Sequence, residues 1–107
     1  MRERRRFMRF RANLEADYQA RGSSSAAGRA QVQDFSREGM RVAVPHPLSA
    51  GERVEFTMQV PGDAVPIVAM GEVAWAVASG IGIRFRQIKP LDLARMLDYL
   101  YARWLGA

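Results

Sequence analysis

Two segments of the sequence carry side chains that can hold an anion or a nucleobase. The first is an arginine-rich arm, Met1 to Arg11, in which six arginines accompany one glutamate. Arg5 and Arg9 are four residues apart, so both project from one side of the chain whether it is extended or helical. Arginine binds phosphate oxygens in pairs and stacks on aromatic rings. The arm could clamp phosphates or sandwich a flat base, although a solvated tail has the same composition.

The second segment, DFSREG at positions 34–39, falls between two predicted strands. Asp and Ser side chains bond nearby backbone amides, and Gly39 can supply a positive φ, so a tight turn explains the residue types. The carboxylate of Asp34 and the hydroxyl of Ser36 could equally meet the donor edge of guanine. Gly39 would then let the backbone approach a ligand without a Cβ. Both interpretations are open from this segment alone.

Composition restricts the function classes. The arm accounts for the whole formal net charge of +5, and the rest of the 107 residues is balanced. This length corresponds to one domain. No apolar run approaches the about 20 residues of a membrane span. No hydrophobic segment follows the N-terminal charges, as it would in a secretory signal. We therefore expect a cytoplasmic protein without membrane insertion.

The sequence offers little for catalysis or metal binding. The absence of cysteine removes disulfides, thiolate nucleophiles and cysteine metal sites. His46, the only histidine, lies between two prolines with no second ligand near it, so no metal site is expected. Ser36 has no neighbouring base, and nothing indicates a pair of catalytic carboxylates. We predict a protein that is not an enzyme and has no cofactor.

Six short strands and one helix must position the two segments. The strands are predicted at about 10–20, 32–34, 40–44, 54–60, 67–77 and 81–85, with a Gly/Ser-rich hairpin loop at 22–28. Trp75 alternates with Val73 and Val77, which is typical of core packing. After Pro90 the apolar period becomes helical. The pattern predicts an antiparallel barrel or sandwich, with the helix capping an opening or packing on one face.

The two segments together resemble the PilZ domain, a bacterial receptor for cyclic di-GMP. The resemblance lies in RxxxR at Arg5 and Arg9, an intervening strand, and DxSxxG at 34–39. It covers nearly the whole chain and extends to LxxG at 48–51, GxVxW at 71–75, GIxF at 82–85 and the closing helix. It implies a six-stranded antiparallel β-barrel with a C-terminal α-helix. The arm would comprise residues 1–11 and the barrel domain 12–107, with its helix at about 91–105.

The resemblance also implies ligand-binding roles. Arg5 and Arg9 would contact the phosphates and stack on the guanines, while Asp34 and Ser36 would contact a guanine edge and Gly39 would close the motif. An arginine at the position of Arg4 resembles members that bind an intercalated cyclic di-GMP dimer. Arg6 is an alternative helper, so the stoichiometry stays open. An aromatic residue near Trp75 can line the ligand face in this family.

The expected function is that of a receptor and adaptor. Cyclic di-GMP would order a mobile arm onto the barrel, and an effector protein in motility, exopolysaccharide or biofilm regulation, pilus machinery or transcription would read the change. One alternative is a nucleic-acid-binding barrel, which is disfavoured because the basic charge lies at one end of the chain. Another is a ligand-independent PilZ-type interaction module, which the presence of both motifs disfavours.

Overall fold

The computed structural model describes residues 7–22 and 26–106. This part of the chain contains six β-strands and one α-helix. In chain order they are β1 (Phe10–Arg21), β2 (Ala27–Phe35), β3 (Gly39–Ala43), β4 (Arg53–Met58), β5 (Ile67–Val77), β6 (Gly80–Ile88) and α1 (Pro90–Trp104).

The strands form a closed barrel in the order β1-β2-β3-β6-β5-β4, in which β4 pairs back to β1. Every neighbouring pair is antiparallel. Closure gives every strand a neighbour on both sides, so the sheet has no open edge strand. The prediction of a six-stranded antiparallel barrel with a C-terminal helix is confirmed.

The barrel interior is filled by the apolar side chains that alternate along the strands. In β4, within the strand predicted at 54–60, the inward residues are Val54, Phe56 and Met58, and all three are buried. Phe35 at the end of β2 is fully buried and packs against the ring of Phe85 at 5.2 Å between centroids. These side chains form one continuous core, so the sheet gives the outer face a rigid support.

The second strand begins earlier than the sequence predicted. Ala27 and Gly28, which were assigned to the hairpin loop, pair with Gln19 and Tyr18 of β1. A Cβ at Gly28 would lie 3.5 Å from the ring of Tyr18, an ordinary contact distance. Ala27 and Gly28 are thus part of the strand, although the small residues of this segment suggested a loop.

The helix packs against the first strand. Pro90 begins it, where the missing N–H costs no hydrogen bond, and Met96 and Leu100 face the core. The ring of Phe10 meets Tyr101 edge-on at 6.1 Å between centroids. Trp104 near the end of the helix is 59% exposed, although its ring also meets Phe10 edge-on at 6.4 Å between centroids.

Arg95 fastens the helix to the loop between β4 and β5. Its Nη2 donates to Asp63 Oδ2 at 2.7 Å and to the carbonyl oxygen of Val65 at 2.7 Å. Its Nη1 donates to Asp92 Oδ1, one turn back on the helix, at 2.9 Å. The planar fork of the guanidinium allows these simultaneous bonds, which a lysine could not reproduce. Within residues 7–22 and 26–106, no helix is long and apolar enough to cross a membrane.

The Asp63–Arg95 contact predicts a pH-dependent stability. Hydrogen bonding to Arg95, aided by the Val65 amide, lowers the pKa of Asp63 below its ordinary value. A carboxyl with a lowered folded-state pKa stabilises the fold above its unfolded pKa of about 3.9, and this contribution is lost as pH falls through the folded pKa. We expect Asp63→Asn to melt below the parent near pH 6, with the difference closing under acid.

Thermal melts followed by circular dichroism between pH 6 and pH 2.5 would measure this difference. Asp98→Asn is the control, since Asp98 is an exposed carboxylate of α1 with no ion pair to the described residues. A melting difference for Asp63→Asn that stays constant across the acid range would contradict the assignment.

Candidate functional site

A β-bulge turns Asp34 to the outside of the barrel. Val32 pairs with Val42, but the next pair is Asp34 with Arg41, so Gln33 is an extra residue in β2. Regular alternation would have put Asp34 on the same inward face as Val32. The extra residue reverses the alternation, and the side chain of Asp34 is 20% exposed.

A second bulge does the same for Trp75. Val73 pairs with Ile83 and Trp75 with Gly82, which leaves Ala74 as the extra residue of β5. Trp75 is therefore 42% exposed, and the expectation of core packing from its alternation with Val73 is wrong. Its ring lies over Gly82, where an added Cβ would come within 2.2 Å of indole atoms. The indole thus presents an aromatic surface beside β6.

The two bulges bring four residues into one row across the outer face. Asp34 of β2 pairs with Arg41 of β3, Arg41 with Gly82 of β6, and Gly82 with Trp75 of β5. Strands lie about 4.8 Å apart, so the row spans roughly 15 Å, the scale of a dinucleotide. A carboxylate, a guanidinium and an indole are thereby held on a common rigid surface.

Asp34 is held by two arginines, one on each carboxylate oxygen. Arg9 Nη1 donates to Oδ1 at 2.8 Å, and Arg41 Nε lies 3.4 Å from Oδ2. Arg9 belongs to the sequence arm and precedes the first strand, whereas Arg41 lies within β3. The structure therefore joins one arginine of RxxxR directly to the aspartate of DxSxxG.

Ser36 lies inside the hairpin that follows Asp34. Its side chain is buried; the hydroxyl accepts from the Glu38 N–H at 3.2 Å and donates to the Gly39 carbonyl oxygen at 3.3 Å. The backbone closes the same turn through Ser36 N–H to the Gly39 carbonyl, 2.8 Å. The hydroxyl thus sets the shape of the loop beside Asp34, and its contact with a guanine stays a prediction.

Gly39 is required by a close approach of two strands. A Cβ at this position would lie 1.9 Å from the carbonyl oxygen of Ile83 in β6. Its φ is not positive, so that part of the turn interpretation is wrong. Here the missing Cβ makes room for the neighbouring backbone, which lets β3 pair with β6 and complete the row.

Arg9 and Trp75 border one shallow depression of about 150 Å³. Arg84 of β6 lines it too, and the backbone of Gly39 and Gly82 forms part of its floor. A larger depression, of about 630 Å³, lies between β1, β4 and the following loop. The carboxylates of Glu15 and Asp17 line the larger depression, and both are paired with Arg29, so that depression is poorly suited to bind an anion. We place the candidate site at Arg9 and Trp75 on chemical grounds, although the depression is the smaller.

The structure brings Arg9 and Asp34 together, with Ser36 and Gly39 in the adjoining hairpin. Arg4, Arg5 and Arg6 lie outside the described residues. The sequence analysis did not single out Arg41 and Arg84. The two polar residues between Val32 and Phe35 were a signal of the first bulge, whereas nothing in the sequence around Ala74 marks the second.

His46 has a structural partner. The Tyr18 hydroxyl and His46 Nδ1 are hydrogen-bonded at 2.5 Å, and burial raises the pKa of Tyr18. In the described part of the chain, no three His, Cys, Asp or Glu side chains cluster as metal ligands would.

The glycines of the site predict two different mutational effects. Gly39→Ala drives a Cβ into the backbone of Ile83, and such overpacking costs about 1–3 kcal/mol of unfolding free energy. At Gly82 the nearest atoms to an added Cβ belong to the Trp75 ring, which is 42% exposed and can swing into solvent. We expect Gly82→Ala to retain most stability while the emission of Trp75 shifts to the red.

Urea unfolding measures the first effect and tryptophan fluorescence the second. Both variants belong in a Trp104→Phe background, because the chain has two tryptophans and Trp75 then reports alone. Equal losses of stability for the two substitutions would contradict the distinction between backbone and side-chain clash.

Comparison with known proteins assigns the family. A model of the PilZ domain matches residues 3–102. Among solved structures, the inhibitor of motility MotI/DgrA of Bacillus subtilis superposes with a TM-score of 0.78 at 19% sequence identity, covering 97% of this chain. This chain spans 53% of that protein, so the likeness concerns the fold of about half of it. A search of curated proteins returned no match. The chain belongs to the PilZ domain family.

Proposed function

We propose that this protein is a cyclic di-GMP receptor. The main support is the meeting of Arg9 and Asp34 at 2.8 Å, because it unites the two sequence motifs in one place beside an exposed indole. Cyclic di-GMP offers two phosphates and two guanines, which require cations, a carboxylate and stacking surfaces together. The row across β2, β3, β6 and β5 offers this combination.

Each group has a chemical task in this proposal. Arg5 and Arg9 bind phosphate oxygens and cover guanine faces, since guanidinium serves both purposes. The Asp34 carboxylate accepts from the N–H groups of a guanine edge. Ser36 and Gly39 hold the hairpin that presents it. Trp75 supplies a stacking surface, and base–aromatic stacking contributes about 1–3 kcal/mol per base.

The protein acts as an adaptor through its arm. Phe7 and Met8, the two residues before Arg9, line a depression with Leu97 and Tyr101 of the helix. Withdrawal of Arg9 from Asp34 by a ligand would move this segment against the helix. An effector protein that reads the segment or the helix would then detect the ligand.

The family supports a role without catalysis. PilZ domains are receptors and adaptors, and the solved neighbour is named for the inhibition of motility. Regulation of motility is therefore one output that we propose, beside exopolysaccharide or biofilm control. The protein would bind cyclic di-GMP in the cytoplasm, where the nucleotide is made.

Isothermal titration calorimetry tests the receptor function. We expect the parent to bind cyclic di-GMP in the micromolar range or tighter, and the Arg5→Ala, Arg9→Ala variant to lose at least about tenfold in affinity. Charge-assisted hydrogen bonds contribute about 1.5–3 kcal/mol each, and ~1.4 kcal/mol is a factor of ten. Arg29→Ala is the control, because it removes an exposed arginine whose ion-pair partners, Glu15 and Asp17, lie outside the candidate site.

Competing nucleotides separate the alternatives. Linear pGpG, cyclic di-AMP and GTP should bind more weakly than cyclic di-GMP. Stronger binding of single-stranded RNA, with a steep dependence on salt, would favour a nucleic-acid-binding barrel instead. Absence of binding by parent and variant alike would favour a ligand-independent interaction module. A stoichiometry near two ligands per chain, reduced by Arg4→Ala, would identify the intercalated dimer.

Amide exchange tests the response of the arm. Because binding recruits Arg5 and Arg9, we expect residues 2–11 to exchange more slowly in the complex than in the free protein. Strand β4, on the far side of the sheet order from β3, is the internal reference. Unchanged exchange across residues 2–11 at saturating ligand would refute the arm as the switch.

A further inference from the structure

The two arginines that hold Asp34 have different supports. Arg9 precedes β1 in the segment 7–9, which has no strand or helix structure. Arg41 lies within β3, between β2 and β6, and its backbone is paired with Asp34 on one side and Gly82 on the other. One partner of the carboxylate is therefore on a displaceable segment, while the other belongs to the barrel wall.

The two arginines also occupy different oxygens. Arg9 binds Oδ1 and Arg41 lies against Oδ2. A ligand that draws Arg9 toward its phosphates empties Oδ1, while Oδ2 keeps its partner. An ionised carboxylate accepts through both oxygens, each with two lone pairs, so Oδ2 can also accept a second donor. The vacated face of the carboxylate is then open to the N1–H and exocyclic amine of guanine.

Without Arg41, withdrawal of Arg9 by a ligand would leave the Asp34 carboxylate without either of its arginine partners. Asp34 follows a bulge, where the ladder is locally disrupted, so the backbone alone fixes its direction less firmly than in a regular strand. An unpaired Asp34 could also follow Arg9 and remain bound to it in competition with the ligand. A partner on β3 prevents both outcomes.

We propose that Arg41 is a positioning residue for Asp34, which holds the carboxylate on the outer face when cyclic di-GMP takes Arg9. This role depends on the cyclic di-GMP binding proposed above. Arg41 acts through Asp34, so its loss should affect the recognition of guanine more than the general attraction of an anion.

The test compares cyclic di-GMP with cyclic di-IMP, whose bases lack only the exocyclic amine that a carboxylate can recognise. We expect the parent to prefer cyclic di-GMP and Arg41→Gln to lose about tenfold of that preference, the scale of one charge-assisted hydrogen bond. Arg41→Lys, which retains the charge, should recover part of it.

Arg86→Gln is a closely matched control. The side chain of Arg86 is 53% exposed and its Nε lies 3.6 Å from Glu72, against 50% exposure and 3.4 Å for Arg41 and Asp34. Arg86→Gln removes one positive charge and a similar ion pair, as Arg41→Gln does. It should nevertheless leave the preference for cyclic di-GMP over cyclic di-IMP at the parent value. A loss of preference in Arg86→Gln equal to that in Arg41→Gln would overturn the role.

Nuclear magnetic resonance of the arginine Nε–H groups examines the contact without ligand. The Arg41 signal should shift in Asp34→Asn and stay near its parent position in Arg9→Ala, where Arg41 still holds the carboxylate. A signal indifferent to Asp34→Asn would overturn the role, as would equal weakening of both nucleotides by Arg41→Gln. If the parent binds cyclic di-GMP and Arg41→Gln keeps the parent's preference for cyclic di-GMP over cyclic di-IMP, this inference alone is overturned. A parent that binds no cyclic di-GMP overturns the receptor function with it.

Discussion

The candidate site depends on a register constraint in the closed barrel. Because every strand is paired on both sides, one extra residue in β2 or β5 cannot be absorbed by sliding the strand. It must instead reverse which side chains face outward. The extra residues Gln33 and Ala74 do this for Asp34 and Trp75. Without the bulges both side chains would point into the barrel, and the row across the outer face would have neither carboxylate nor indole.

The balance of energies at Asp34 favours an exchange of partners. The Arg9–Asp34 contact is a charge-assisted hydrogen bond between partly exposed side chains, and each such bond to phosphate is of the same kind, about 1.5–3 kcal/mol before solvent screening. A ligand that offers Arg9 two phosphates can therefore outcompete a single contact with Asp34. The contact in the free protein still matters, because it keeps Arg9 beside the depression that Trp75 and Gly82 border.

The sequence predicted the architecture well because its signals were local. Alternation in β4, the turn residues and the helical period after Pro90 each act over a few residues. Their sum left an antiparallel barrel or sandwich, and the resemblance to the PilZ domain implied the six-stranded barrel that is observed. The motifs likewise predicted that Arg9 and Asp34 belong to one site. Trp75 was misplaced because its neighbours alternate regularly, and the bulge at Ala74 arises from pairing with β6, which lies outside any local window. Arg41 escaped notice for the same reason, since its importance comes from its partner across the strand pair.

The same non-local pairing explains why a glycine in the second motif cannot be read from its own segment. The hairpin at 36–38 would accept many residues at its end, and Gly39 does not use a positive φ. Its constraint comes from Ile83, whose carbonyl oxygen occupies the space of a Cβ. That close approach sets β3 against β6 and thereby fixes the distance from Arg41 to Trp75. A residue of the second motif thus acts on the candidate site through strand pairing. Gly39 admits the backbone of Ile83, whereas Gly82 admits the ring of Trp75.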